Sequence, residues 1–350
     1  MVGKELLEHR ILTQGDGDLM LAAFYEKKGT ARDVIKFGEF DEPSVGSSEV
    51  KVKLFASGVN PSDIKRRTGF GALSEMEFPV VIPHNDGAGV IEEVGAGVDK
   101  SRLGQRVWVY EAQIGRPFGT AAQRVVVPDH RAIWLPDNTT FDQGACLGVP
   151  AMTAHRLVFS DGPVNGKNVL VSGGGGSVAS YAIQFAKWSG ATVFTTVSSG
   201  AKAERAKKSG ADFIIDYKKE HVVKTILDLT HGVGVDRIIE VAFGQNLDTN
   251  LAIIGTNGII ATYASDQLLE PTIPFYRLIL KSVTVRFVFV YAMSLQAHVE
   301  AARDINECLA TGVLNHEIAL RFTLSQVIEA HEAVESGTCV GKVIVDTTRV

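Results

Sequence analysis

Between residues 20 and 148 apolar and polar positions alternate in short runs. Val50, Val52 and Leu54 mark one run, and AGVIEEVG, RVWVY and AAQRVVVP mark others, divided by Gly, Pro and Asp turns. Such alternation describes half-buried strands, so this stretch predicts a compact, strand-rich domain. From about residue 149 the rhythm changes. Six apolar runs, NVLVS, ATVFTTV, DFIID, DRIIEVA, GIIATYA and TVRFVFVY, are separated by stretches with helical spacing. Strand and helix in turn predict an α/β doubly wound parallel sheet. After Tyr291 the pattern predicts a helix over about 294–312, a strand near EIALRF, a helix SQVIEAHEAVES and a last strand KVIVD, all expected to return to the first domain. The domains expected are therefore 20–148 with 292–350, and 149–291, preceded by a polar extension over residues 1–19 that carries no fold signal. One domain inserted in another leaves a cleft, which is where a ligand is expected.

The sharpest local feature is NVLVSGGGGSVASYAIQFAKWSG at residues 168–190, a strand entering four glycines and leaving as an apolar-faced helix from Val178 to Trp188. It fits Gly174-x-Gly176-x-x-Ala179, the dinucleotide fingerprint with alanine last. Gly174 is expected to turn the chain with positive φ, Gly176 to let the backbone approach a pyrophosphate, and Ala179 to let helix and strand pack closely. The helix N-terminus then offers free amides and partial positive charge to phosphates.

NAD-binding folds place an acid about 20 residues past this loop, at the end of the second strand, to bind the ribose 2′-hydroxyl. Here the chain reads Thr196, Val197, Ser198, Ser199, Gly200. With no carboxylate to repel a 2′-phosphate and Lys202 as a cation in reach, NADPH is expected over NADH. Lys207 and Lys208 are assigned to a solvated helix face, and Tyr217 follows the third strand.

Bulk composition narrows the partners. A net charge of −5 without runs of like charge makes nucleic acid and anionic membranes poor candidates. Cys146, Cys308 and Cys339 are far apart, which suggests neither a disulfide framework nor a thiolate metal site, and points to a reducing compartment. The amino terminus carries acids and lacks an apolar signal core, so a cytoplasmic location is expected.

The motifs SGVNPSDIKRRTG (57–69), NDGAGVIEEVGAGV (85–98), GRPFGTAAQRVVVP (115–128), the glycine loop and VGKVIVD (340–346) together resemble the medium-chain dehydrogenase/reductase superfamily. Within it the chain looks like the zinc-free NADPH:quinone oxidoreductases related to zeta-crystallin. That resemblance implies a GroES-like β-rich catalytic domain joined to a Rossmann domain. Where the zinc alcohol dehydrogenases carry a catalytic cysteine and the histidine of a GHE motif, this chain has Asn60 and Asn85, neither a good zinc ligand. His84 lies one place off and is read as a packed or surface histidine. Without a Lewis acid alcohol oxidation is disfavoured, and quinones or activated alkenes fit as hydride acceptors.

By resemblance Asn60 lies near nicotinamide and substrate, with Asp63 ordering its loop, and Thr153 contacts the cofactor. Gly176, Ser177 and Val178 supply backbone contacts to the pyrophosphate, with Ser177 replacing a common family glycine. Ser199, Lys202 and Tyr217 match 2′-phosphate positions. Phe287, Phe289 and Val290 fall on a last sheet strand that runs near the nicotinamide and forms a homodimer edge over 284–291, and Lys342 matches a basic position close to the cofactor. The function expected is NADPH-dependent quinone reduction without zinc. Two rivals are weighed. One is an alkenal, enone or enoyl double-bond reductase, against which Phe70 stands where related enoyl reductases have a tyrosine. The other is an NADPH-binding structural or RNA-binding crystallin-like protein with little turnover.

Overall fold

The computed structural model describes residues 18–350; the extension over residues 1–17 lies outside the described residues. Among the described residues, β1 (Leu19–Phe24) and β2 (Lys36–Asp41) form an antiparallel pair, so the first strand begins inside the segment the sequence reading treats as extension. β3 (Glu49–Val59), β4 (Asp86–Val94), β5 (Arg106–Val109), β6 (Arg124–Pro128) and β7 (Ala132–Trp134) belong to a second sheet. β8 (Asn168–Val171), β9 (Thr192–Val197), β10 (Phe213–Asp216), β11 (Val235–Glu240), β12 (Ile254–Thr262) and β13 (Thr284–Phe287) form a third. β14 (Ile318–Thr323) and β15 (Lys342–Asp346) complete the second sheet, whose order is β14-β15-β3-β4-β5-β7 with β6 on β3.

Two compact units result. The first holds the described residues up to Val149 together with His316–Val350, and the second is Pro150–Asn315. The second unit therefore takes in residues 292–315, which the sequence pattern gives to the first. The helix Leu295–Ala310 buries Ala297, Ala301, Ile305 and Cys308 along one face at helical spacing. It is fastened by a 2.8 Å bond between His155 Nε2 and Asp304, and Asn315 N–H donates to Gln184 Oε1 at 2.6 Å just beyond its end.

In the first unit β3 organises the sheet. Val50, Val52 and Leu54 point into a core with Val107, Val125 and Val127, as their alternation requires. In the second unit every strand pair is parallel and the order is β10-β9-β8-β11-β12-β13, the 3-2-1-4-5-6 arrangement of a Rossmann sheet. The chain is thus an α/β protein with a GroES-like β-rich unit and a Rossmann unit. β13 stops at Phe287, where its partner β12 ends at Thr262, so the strand expected over 284–291 is half that long and Val290–Ala292 turns instead. No helix among the described residues is long and apolar enough to cross a membrane.

Candidate active site

The glycine loop joins β8 to the helix Ser177–Trp188, in which every residue from Ala179 to Ala186 is buried. Its geometry corrects one expectation. The left-handed residue is Gly173, with φ 69°, and Gly174 is required for a different reason. A β-carbon on Gly174 would lie 2.2 Å from Thr195 Oγ1, so this glycine lets the loop press on β9. Thr196 holds the same contact from the other side: Gly173 N–H donates to its Oγ1 at 3.2 Å and Gly174 N–H to its carbonyl at 2.9 Å. Gly176 is the N-cap, where a β-carbon would find nothing of the protein nearer than Gly173 O at 3.4 Å, which leaves its outer side for a ligand.

Ser199 caps the helix Gly200–Lys208, its hydroxyl accepting from Lys202 N–H at 3.5 Å. The stem of Lys202 crosses the glycine loop so closely that a β-carbon on Gly175 would fall 2.4 Å from its Cγ, and its ammonium donates to Ser198 Oγ at 3.2 Å. Arg205, which the sequence reading passes over, is buried and donates from Nη1 to Gly175 O at 2.9 Å, pinning the loop. A cavity of about 540 Å3 opens here, lined by Ser172, Gly173, Thr196, Tyr217, Glu240 and Asn246 among others. Glu240 is also missed by the sequence reading. Its buried carboxylate accepts from Ala242 N–H at 2.7 Å, Asn246 Nδ2 at 3.0 Å and Asn250 Nδ2 at 2.8 Å. Thr153 is buried in the helix Gly148–Phe159 and does not line this cavity.

At the far side of the same sheet, Phe287 ends β13 and sits edge-on to Phe243 at 5.5 Å between ring centres. Phe287 and Phe289 line a second cavity of about 540 Å3 with Tyr263 and Leu269.

In the first unit three strand ends meet. The pairing of β3 with β15 sets Val59 opposite Val343, and its pairing with β4 sets Gly58 opposite Asp86, which brings Asn60, Asp86 and Lys342 to one point. Asn60 precedes the helix Pro61–Thr68, with Pro61 at its first position and Asp63 Oδ2 accepting the Asn60 N–H at 2.8 Å. Asn60 Nδ2 donates to Asp86 Oδ2 at 2.8 Å, and the Lys342 ammonium donates to Asn60 Oδ1 and, at 3.3 Å, to Asp86 Oδ2. Val149 N–H donates to Asp86 Oδ1 at 2.8 Å, and Asn85 Nδ2 to Asp63 Oδ1 at 3.0 Å. All five side chains are buried. Burial and the nearby Asp86 charge push the Asp63 carboxyl up to about 7, against its hydrogen bonds and Lys342, while burial raises Asp86 against the pull of Lys342.

His84 is packed, at φ 78°, and fully buried. Arg67 Nε can only donate, and it meets His331 Nδ1 at 3.3 Å. His331 Nε2 therefore carries the proton toward His84 Nε2 at 2.9 Å, and His84 Nδ1–H faces Ser57 Oγ at 2.8 Å. Both imidazoles are neutral, burial and Lys342 taking His84 down to about 3. Phe70 is surface-exposed under the Lys65 ammonium, 5.0 Å from its ring centre.

Known proteins bear on these two sets of residues. The chain matches the zinc-binding dehydrogenase family over residues 177–306 and the alcohol dehydrogenase GroES-like domain over residues 46–137. A zinc-type alcohol dehydrogenase-like protein of Schizosaccharomyces pombe is 31% identical over 337 residues, covering 89% of this chain and 95% of that one. The chain belongs to the medium-chain dehydrogenase/reductase superfamily. Within that superfamily, human quinone oxidoreductase is 27% identical, covering 85% of this chain and 88% of its own. A mycobacterial protein solved with NADPH superposes with a TM-score of 0.81 at 26% identity, over 93% of this chain and 99% of that one.

The word zinc in the family description can be tested on the residues present. By the resemblance, the two positions that hold metal in zinc-dependent members of the superfamily correspond here to the amides of Asn60 and Asn85. Asn60 is bonded to the Lys342 ammonium and Asp86, and Asn85 to Asp63 and, through Oδ1, to Gln113 N–H at 3.2 Å. Two engaged amides beside an ammonium are not a zinc donor set.

Proposed function

We propose that this medium-chain dehydrogenase/reductase reduces quinones with NADPH. The observation that carries the reading is the 2′-phosphate corner: β9 ends without an acid, and Ser198, Ser199 and a lysine laid across the glycine loop stand there instead. The likeness to a quinone oxidoreductase and to a protein solved with NADPH supports it. NADPH, when bound, supplies the hydride. The amides of Gly176, Ser177 and Val178 hold the pyrophosphate, Ser199, Lys202 and Tyr217 hold the 2′-phosphate, and Thr153, Phe287 and Phe289 serve the nicotinamide half. Asn60 keeps one amide hydrogen beyond the one given to Asp86, and its orientation is fixed by Lys342, so it is set to steady negative charge on an acceptor oxygen.

The assembly proposed is a homodimer through β13. This edge strand carries unpaired backbone groups, and Phe275, Tyr276, Leu280, Phe287 and Phe289 beside it are exposed. A cytoplasmic setting suits three cysteines that form no disulfide among the described residues.

The deciding experiment follows NADPH and NADH oxidation by absorbance with an ortho-quinone, a para-quinone and a medium-chain 2-alkenal offered separately. Fast, NADPH-selective quinone reduction is expected. Turnover confined to the alkenal would make the protein a double-bond reductase, and tight NADPH binding with no turnover would make it a binding protein.

A further inference from the structure

We infer that the apolar cavity at the carboxyl ends of β12 and β13 takes an uncharged carbonyl acceptor, and that the Tyr263 hydroxyl donates a hydrogen bond to that acceptor's oxygen. The inference rests on the reductase reading. The cavity measures about 540 Å3, and no acidic, basic or histidine side chain is among the residues lining it. Phe243, Leu269, Ile273, Phe287 and Phe289 make most of its wall. A flat ketone or quinone loses little by entering such a space, whereas a carboxylate would be stripped of water with no cation to meet it. β12 and β13 are the fifth and sixth strands of the sheet, in the mononucleotide half opposite the one holding the glycine loop. That half receives the nicotinamide.

Three hydroxyl side chains line the cavity, and two are committed. Thr262 Oγ1 donates to Glu240 O at 3.1 Å, and Ser265 Oγ donates to Leu268 O at 2.5 Å while accepting from Gly244 N–H at 3.0 Å. Each has one hydrogen to give and has given it. The Tyr263 hydroxyl takes part in no hydrogen bond among the described residues. Burial, with Glu240 and Asp266 nearby, raises its pKa, so it remains a donor across the working range. As the acceptor carbon takes the hydride, the carbonyl π pair moves onto oxygen and meets the Tyr263 O–H. Water supplies the proton that completes the product, and Tyr263 keeps its own.

The test uses the full chain and Tyr263→Phe, which removes one oxygen and keeps the ring. Uncharged and carboxylate-bearing forms of one para-quinone and one 2-enal are compared by NADPH oxidation. Binding of the uncharged forms to the NADP+ complex is measured separately by tryptophan quenching. The expected result is a preference for uncharged over carboxylate acceptors of roughly 100-fold or more in kcat/KM. Tyr263→Phe should lower kcat/KM for the uncharged acceptor roughly tenfold and weaken its binding, with NADPH affinity unchanged. Equal use of charged and uncharged acceptors, or a Tyr263→Phe protein equal to the parent in both rate and binding, overturns the inference. Absence of turnover with every acceptor would refute the reductase reading instead, and the binding titration would still decide the role of Tyr263.

Discussion

The buried cluster around Asp86 and the cavity beside Tyr263 differ in what they leave for a ligand. Around Asp86, two carboxyls, two amides and one ammonium are packed out of water, and nearly every donor and acceptor is answered from within the chain. Beside Tyr263 the walls are uncharged and partly open, with Phe287 and Phe289 exposed and one hydroxyl unanswered among the described residues. The first arrangement is preorganised and expensive to disturb, because removing one partner strands a buried charge. The second is cheap to alter and sensitive to what enters. Substitutions in the cluster should therefore move stability first and rate second, and substitutions at the cavity the reverse.

The hardest test of that contrast is Lys342→Met. It leaves Asp86 buried with no cation, at a cost of about 3–5 kcal/mol of stability, read as a lower urea midpoint at pH 8. Adding Asp86→Asn should restore part of the loss, since the stranded charge goes with it. A midpoint unchanged by Lys342→Met would mean that the cluster is not the electrostatic unit described.

Asp63 gives the cluster a pH dependence. Its folded pKa of about 7 lies above the ordinary value of 3.8, so between these values the folded chain holds a proton that the unfolded chain has released. Stability from this group is present at low pH and lost as pH rises through about 7, with a slope of at most about 1.4 kcal/mol per pH unit. Urea midpoints measured from pH 5 to pH 7, a window of about two units inside that range, should fall with pH, and Asp63→Asn should flatten the fall. A midpoint rising with pH through this window in the parent but not in Asp63→Asn would reverse the assigned direction.

Two glycines of one loop separate packing from binding. Gly174→Ala drives a methyl to 2.2 Å from Thr195 Oγ1 and should cost about 1–3 kcal/mol of stability. Gly176→Ala meets nothing nearer than 3.4 Å, so it should unfold within about 0.5 kcal/mol of the parent while losing NADPH affinity in a fluorescence titration. The opposite ranking would place the cofactor loop elsewhere.

How far the sequence carried these conclusions depended on distance along the chain. The glycine loop and β9 without its acid are local, and spacing with side-chain chemistry makes each readable. The doubly wound parallel sheet follows from the period of its apolar runs, whereas its strand order is seen only in the structure. What stayed hidden was pairing across long separations. Asp86 and Lys342 are 256 residues apart and meet only because β3 runs between β15 and β4. An acid opening the apolar run GAGVI was the one signal that could have marked Asp86. His84 and His331, 247 residues apart, gave none. The positive φ was assigned to Gly174 because the fingerprint begins there, whereas the turn falls one residue earlier and Gly174 answers to Thr195. The sequence pattern gives the helix Leu295–Ala310 to the first unit and its contacts give it to the second, because amphipathic spacing shows that a helix buries a face, not which core receives it.

The smallest effect expected is also the most specific. Lys202 is half-buried, with its stem across the loop and its ammonium at Ser198, so it needs little rearrangement to meet a 2′-phosphate. Lys202→Ala removes one charge-assisted contact at a solvent-facing site, worth about 1 kcal/mol and hence roughly fivefold in NADPH affinity. NADH, which lacks that phosphate, should bind the variant as it binds the parent. Raising the salt concentration should shrink the NADPH difference, because an exposed charge pair is screened within a Debye length. Titrating both nucleotides by their own fluorescence at low and high salt measures all of this. Equal losses for NADPH and NADH would show Lys202 to be a strut of the loop through its stem, with the 2′-phosphate contact passing to Ser199 and Tyr217.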